Sequence, residues 1–320
     1  MFDCIIVGAG PAGGASAYHL AKQGHAVVVL EKASLPRYKP CSGGVAPCVA
    51  QWFDFDFAPA ISRTVDQVRY TWKLGDPIEA ELTTSEPMWM VQRDVFDQFL
   101  LDQAKGQGAE VRDQTAVTGI EFTGDRWQVQ TTTGTVEGQY LIAADGATGP
   151  MATWLGFPAK SVRMAEVIEF ENESSSRVYF DLGIVKNGNL WAFPKATGYS
   201  VATTTFRGGE PKDFTKPITQ FCESMGWSGG TTHRHAIAFW TGNQSLHTQN
   251  ALLAGEAAAL VDPLSAEGIR PALLSGVKAA AAIHSALGGD SNALANYTQT
   301  IHAEWGTDMK IAQQIAGMFY

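Results

Sequence analysis

Residues 2–14 read FDCIIVGAGPAGG, and the reading of this stretch decides the fold. Residues 3–8 (DCIIVG) read as a fully buried strand, the near-continuous apolar pattern of a parallel sheet covered on both faces. Gly8-Ala9-Gly10-Pro11-Ala12-Gly13 then fits GxGxxG. Residues 12–23 follow as a helix with Ala15, Leu20 and Ala21 turned inward. Each glycine has a physical task. Gly8 permits the tight turn, Gly10 lets a pyrophosphate approach the backbone, and Gly13 lets helix and strand pack closely. The motif opens the helix, whose N-terminus offers free N–H groups and partial positive charge to phosphates. A second buried strand, AVVVLE at 26–31, ends on Glu31, with Lys32 after it. A carboxylate at that point can accept both ribose hydroxyls of an adenosine and disfavours a 2′-phosphate. Strand, turn, helix, strand and terminal acid share one register, which makes this a Rossmann-type dinucleotide unit.

Outward from it, residues 35–47 are rich in Pro and Gly and predict a loop. Residues 68–90 are strand-like, and 94–105 predict a helix starting at Asp94. Residues 109–143 break into short strands at Gly119, Gly124, Gly134 and Gly138. Further strands are expected at 162–171, 177–183, 199–206 and 251–256, an Ala-rich helix at 267–287, and helical structure over 291–320. The expected architecture is α/β (α+β overall). A parallel sheet is assembled from residues 1–66, 91–158 and 248–290. An inserted, mainly antiparallel β-sheet domain takes 67–90 and 159–247, and 291–320 form a C-terminal helical segment.

With 320 residues, 45% of them hydrophobic, the chain can fill one large core or two modest ones. Its 23 basic against 32 acidic residues give a net charge of −9, which argues against a nucleic-acid partner. Residues 2–12 have no basic leader, and the most apolar stretch, 251–264, contains Glu256 and Asp262 and is too short to span a bilayer. A cytoplasmic protein is expected, with peripheral membrane contact left open. Cys4, Cys41, Cys48 and Cys222 form no CxxC pair, and His233 and His235 share a strand face with no third ligand, so no metal is expected.

The other motifs narrow the cofactor. Leu141 to Ala147 (LIAADGA) resembles the strand-plus-Asp-Gly signature of the flavin hydroxylase and reductase superfamily, with Asp145 and Gly146 at its key positions. Ala254 to Ala258 (AGEAA) resembles that superfamily's Gly-Asp motif, here Gly255-Glu256, with Glu in place of Asp. Arg93, before Asp94-Val95-Phe96-Asp97, matches its cofactor-contacting Arg. Pro40 to Val45 (PCSGGV) resembles the Cys-Gly-Gly loop of geranylgeranyl reductases. Leu190 to Pro194 (LWAFP) is similar to their Tyr-x-Trp-x-Phe-Pro motif, with Asn189 at the Tyr position. Leu260 to Ile269 (LVDPLSAEGI) is similar to their Asn-Pro-Leu-x-Gly-Glu-Gly-Ile turn, with Asp262 for Asn and Ala266 for Gly.

The resemblance, which runs through essentially the whole chain, implies bound FAD and reduction of C=C bonds in a polyprenyl (geranylgeranyl-type) substrate. It places Gly8, Gly10, Pro11, Ala12, Gly13, Glu31, Lys32, Cys41, Ser42, Gly43, Arg93, Asp145, Gly146, Gly255, Glu256, Pro263, Gly268 and Ile269 at the cofactor. The helix beginning near Pro263 would point its N-terminus at the flavin, where its dipole stabilises negative charge. Trp191, Phe193 and Pro194 are the substrate-binding candidates, since Trp191 and Phe193 share a strand face. Cys41 and Trp191 are the catalytic candidates. No second dinucleotide fingerprint is present, so electrons would come from a transiently bound NAD(P)H or from ferredoxin. Two other readings stay open: a flavin monooxygenase acting on an apolar small molecule, and a non-catalytic flavin-binding or redox-sensing protein. Oligomeric state is not legible.

Overall fold

The computed structural model describes residues 1–171, 175–209 and 213–320, which form two compact units. The first unit comprises Met1–Arg37, Asp97–Ser161 and Ala238–Ala312. Its sheet runs in the order His247–Thr248, Ala251–Leu253, Gly134–Ala143, Phe2–Val7, Val27–Leu30, Glu110–Arg112. The four pairings from Ala251–Leu253 to Glu110–Arg112 are all parallel. A meander of Val117–Phe122 and Trp127–Thr131 leads antiparallel into Gly134–Ala143. The apolar runs seen in the sequence have the burial that a covered parallel sheet demands: Ile5, Ile6, Val28 and Val29 expose nothing. Each such side chain contributes about 1.5–3 kcal/mol by leaving water.

Helix Pro11–Lys22 packs on the long helix Ile269–Leu287, and small residues allow the approach. A Cβ at Gly276 would overlap the Ala12 carbonyl. Ser16 Oγ lies 2.9 Å from that same carbonyl and 3.1 Å from the Gly276 carbonyl. The long helix starts two residues later than expected, because Asp262 holds residues 262–266 in a turn: its Oδ1 accepts the N–H groups of Leu264 and Ser265. The expected strand at 251–256 stops at Leu253 and passes into a 3₁₀ turn at Gly255–Ala258. Helix Ala293–Ile301 belongs to this unit, tied in by Tyr297 Oη donating to the Leu253 carbonyl.

The second unit comprises Tyr38–Phe96, Val162–Ile237 and Gln313–Tyr320. Its seven-stranded sheet has the order Thr231–Ile237, Arg163–Phe170, Gly198–Thr205, Gly188–Lys195, Arg177–Leu182, Gln67–Trp72, Gly75–Glu81. Among the described residues, the pairing of Arg177–Leu182 with Gln67–Trp72 is the one parallel pairing of this sheet. Helix Thr215–Ser224, not foreseen from the sequence, covers one face with Ile218, Phe221 and Cys222 against Leu190, Ala192, Tyr199 and Val201. Alternation then turns Asn189, Trp191 and Phe193 to the opposite face. Residues 38–66, which the sequence pattern grouped with the nucleotide unit, lie here. Gly44–Val45 and Arg63–Val65 both pair with Met88–Met90, and Val65 and Met90 pack with Val68 and Val178.

Candidate functional site

In the first unit the GxGxxG segment has the geometry its residue types demand. Gly8 sits at φ 104°, a conformation that side-chain-bearing residues rarely adopt. A Cβ at Gly13 would overlap the Gly8 carbonyl, so turn and helix could not close on each other. Gly10 precedes Pro11 at the helix start in extended conformation, and no side chain caps the N-terminal N–H groups. Glu31 is buried, and its Oε2 accepts the Ala9 N–H at 3.0 Å while Oε1 accepts the Ala33 N–H at 3.0 Å. Arg37 Nε lies 3.2 Å from Glu31 Oε2, and Arg37 Nη1 is 3.0 Å from Asp97 Oδ2. Three of a carboxylate's roughly four acceptor directions are thereby used, and the remainder suits a ribose hydroxyl. Lys32 is exposed.

Asp145 and Gly146 follow directly on strand Gly134–Ala143, and the Ala144 N–H donates to the Val7 carbonyl, which brings them beside the fingerprint turn. Asp145 Oδ2 accepts the Met151 N–H at 2.9 Å. Its Oδ1 is shielded from solvent and has no partner among the described residues. Burial raises the carboxyl above the usual carboxylate range, opposed by the Met151 N–H and by the Lys160 and Lys32 ammoniums. A buried acceptor without a donor costs about 1–3 kcal/mol, and a hydroxyl-bearing ligand relieves it. Lys160 Nζ donates to the Gly146 carbonyl at 2.8 Å. Burial lowers its ammonium, against the opposing fields of Asp145 and Glu256.

Gly255 reaches the same corner, packed between Ala12 and Ala272, with its N–H donating to Ser275 Oγ at 2.8 Å. Glu256 Oε1 accepts the Ala238 N–H at 3.2 Å. Pro263 lies in the Asp262 turn, Gly268 caps the long helix and Ile269 is its first residue. Glu267 closes a two-point ion pair with Arg270, at 2.9 and 3.0 Å, and so stands outside the helix with its charge compensated. The glycine turn, the Glu31 carboxylate and the unpartnered Asp145 oxygen together fit a flavin adenine dinucleotide.

In the second unit, Cys41, Ser42 and Gly43 form a loop held against strand Gly188–Lys195. Trp191 Nε1 donates to Ser42 Oγ at 2.6 Å, and Lys195 Nζ donates to the Cys41 and Ser42 carbonyls at 2.6 and 3.0 Å. Gly43 stands at φ 78°, its carbonyl accepting the Val91 N–H at 2.8 Å. Phe193 lies against Gly44 and meets the Phe180 ring edge-on at 5.7 Å, and Phe180 stacks on Tyr70 at 5.5 Å. Pro194 is buried. Trp191 is only 6% exposed, so its indole serves first as a loop anchor. Arg93 opens helix Arg93–Gly106 and is 7% exposed. Nearby, Glu169 Oε1 accepts from Tyr38 Oη at 3.0 Å and from Ser200 Oγ at 3.1 Å. At the Asn189 position, Nδ2 donates to Tyr320 Oη at 2.9 Å.

The sequence pattern missed Arg37, Asp97, Lys160 and Lys195. Of these only Lys195 carried a local signal, standing directly after the Trp-x-Phe-Pro segment. His233 packs its ring on Tyr38 at 4.6 Å, and no group of three or more metal-ligating side chains occurs among the described residues. No helix among them is long and apolar enough to cross a membrane.

The FAD binding domain family matches residues 1–305. An uncharacterized protein of Methanosarcina barkeri is 30% identical over 332 residues, spanning 100% of this chain and 84% of that protein. The digeranylgeranylglycerophospholipid reductase of Methanosphaerula palustris is 29% identical over 326 residues, 93% of this chain and 81% of the reductase. Among solved structures, a geranylgeranyl bacteriochlorophyll reductase-like protein of Thermoplasma acidophilum superposes with a TM-score of 0.89 at 20% identity, covering 99% of this chain and 87% of its own. A variant of the halogenase PltM in complex with FAD superposes at 0.78 with 15% identity, over 99% of this chain and 77% of the halogenase. At such identities the structural likeness is one of fold, which several chemistries share.

Proposed function

Because the chain belongs to the geranylgeranyl reductase family of FAD-dependent oxidoreductases, we propose that it reduces isolated C=C bonds in the chains of a polyprenyl lipid. The observation that carries this reading is the apolar face built by Trp191, Phe193, Phe180 and Tyr70 beside the Cys41–Gly43 loop. A prenyl chain offers no charge to grip. Its binding must come from apolar contact, about 25 cal/mol per Å² buried, and an aromatic strand face supplies that contact.

Bound FAD, once reduced, supplies the hydride. The chain's own residues bind and orient. The N-terminus of helix Pro11–Lys22 receives the pyrophosphate, Glu31 a ribose hydroxyl, and Asp145 Oδ1 a hydroxyl donor of the cofactor. The N-terminus of helix Ile269–Leu287, capped by Gly268 without a side-chain bond, would favour negative charge on a cofactor held beside it. The second alkene carbon takes its proton from solvent or a nearby acid, and the aromatic face keeps bulk water from the alkene. NAD(P)H or ferredoxin is the electron donor under this reading, and the lipid substrate is met at a membrane surface.

The test is anaerobic incubation of the dithionite-reduced holoprotein with digeranylgeranylglycerophospholipid in detergent, followed by mass spectrometry. A gain of two hydrogens per reduced bond with concurrent flavin reoxidation is expected. A stable reduced flavin and unchanged lipid mass would refute the reading. Oxygen-dependent gain of one oxygen atom would move the chemistry to monooxygenation.

A further inference from the structure

Lys195 is spent on two backbone carbonyls. Its ammonium donates to Cys41 O at 2.6 Å and to Ser42 O at 3.0 Å, although 154 and 153 positions separate the partners in sequence. Both bonds are charge-assisted, the stronger class of hydrogen bond. Burial lowers the ammonium from its ordinary value, and the Glu169 and Asp94 carboxylates oppose that while Arg93 reinforces it. A lysine drawn out of water against that cost is held by what it grips. The fit around it is close: a Cβ added at Gly43 would come within 2.9 Å of Nζ and would overlap the Val91 carbonyl. Trp191 donates to the Ser42 hydroxyl four residues earlier on the same strand, and the Val91 N–H holds the Gly43 carbonyl. The backbone carbonyls of three successive loop residues and the Ser42 hydroxyl are thus fixed from two directions. The Cys41 side chain takes no part in these bonds and stays half-buried as a free thiol.

We propose that Lys195 is a positioning residue, which clamps the Cys41–Gly43 loop against the Trp191 strand and so fixes how that loop presents the Cys41 thiol during turnover. This rests on the reading above, in which the loop and the aromatic face serve the reduction of a prenyl lipid. Lysine suits the task where an apolar residue of the same length does not. Two carbonyls turned toward one point need donors, and an ammonium carries three on one atom.

The experiment compares wild-type holoprotein with Lys195→Met and Lys195→Arg. Hydrogen exchange is measured by mass spectrometry in peptides covering 38–45 and 2–31. In parallel, kcat and KM are determined anaerobically with digeranylgeranylglycerophospholipid. Lys195→Met is expected to speed exchange in 38–45 about tenfold while leaving 2–31 unchanged, since the loop opens locally. It should also lower kcat about tenfold, with KM within twofold and FAD content intact. Lys195→Arg retains charged donors and should restore most of the protection and most of kcat. Unchanged exchange at 38–45 in Lys195→Met would overturn the clamp, and so would failure of Lys195→Arg to restore it. Faster exchange across both peptides would show a folding role and overturn it equally. Faster exchange confined to 38–45 with unaltered kcat would leave a clamp without a reaction to serve, and would remove the loop from the catalytic reading. Absence of lipid reduction by the wild type itself would reject that reading alone, because the exchange comparison needs no substrate.

Discussion

Replacing Glu31 with Gln keeps the shape of the side chain but removes its charge and one of its two acceptor oxygens. Three groups converge on that carboxylate: the N–H groups of Ala9 and Ala33, each at 3.0 Å, and Arg37 Nε at 3.2 Å. A hydrogen bond to a charged acceptor is worth about 1.5–3 kcal/mol. If the amide keeps one backbone bond and loses the ribose contact, FAD should bind about tenfold to a hundredfold more weakly, at 1.4 kcal/mol per decade. The assay is titration of the apoprotein with FAD, followed by quenching of flavin fluorescence, alongside thermal unfolding of both apoproteins. The unfolding curves separate lost affinity from lost fold. A Kd within threefold of wild type, with equal unfolding temperatures, would refute the assignment of Glu31 to the ribose.

Gly10→Val should abolish FAD binding without unfolding either unit: Gly10 is extended at φ −84° and ψ −175°, a backbone that Val adopts, and the added side chain would take the space the pyrophosphate needs. Normal flavin content in that variant would show that the turn holds no phosphate. Trp191→Phe deletes the donor to Ser42 Oγ while keeping most of the apolar area, and should cost about 1 kcal/mol of stability with FAD content unchanged; loss of flavin would mean that the indole supports the fold. His25 Nε2 lies 2.8 Å from His284 Nδ1. Burial, then the His284 charge, lowers His25 from its ordinary value of 6.5, with Asp3 opposing. The fold therefore favours neutral His25, the unfolded chain takes the proton first, and stability declines as pH falls below 6.5. Unfolding temperatures of wild type and His25→Gln across that window should converge toward acid pH, and parallel curves would contradict the assignment.

The nucleotide half of the protein was legible because its signals are local. A buried strand announces itself within six residues, and a glycine that must accept φ 104° or admit a neighbouring carbonyl has no substitute, so the turn at Gly8–Gly13 reads directly from sequence. Period-two alternation likewise put Trp191 and Phe193 on one face, the one opposite Leu190 and Ala192. Boundaries were less legible. Residues 38–66 carry no strong periodicity, and their place follows from Gly44–Val45 and Arg63–Val65 pairing with Met88–Met90.

Tertiary structure alone decided which side chains meet. Arg37 finds Asp97 across 60 positions, and Trp191 finds Ser42 across 149. Lys195 reaches a loop 154 residues earlier, and Asp145 keeps one oxygen free of any described partner. Such meetings depend on strand order and register, and a one-residue slip in a strand turns every side chain to the other face. Residue types set what each group could bond to, and only the closed sheets determined which bonds were made.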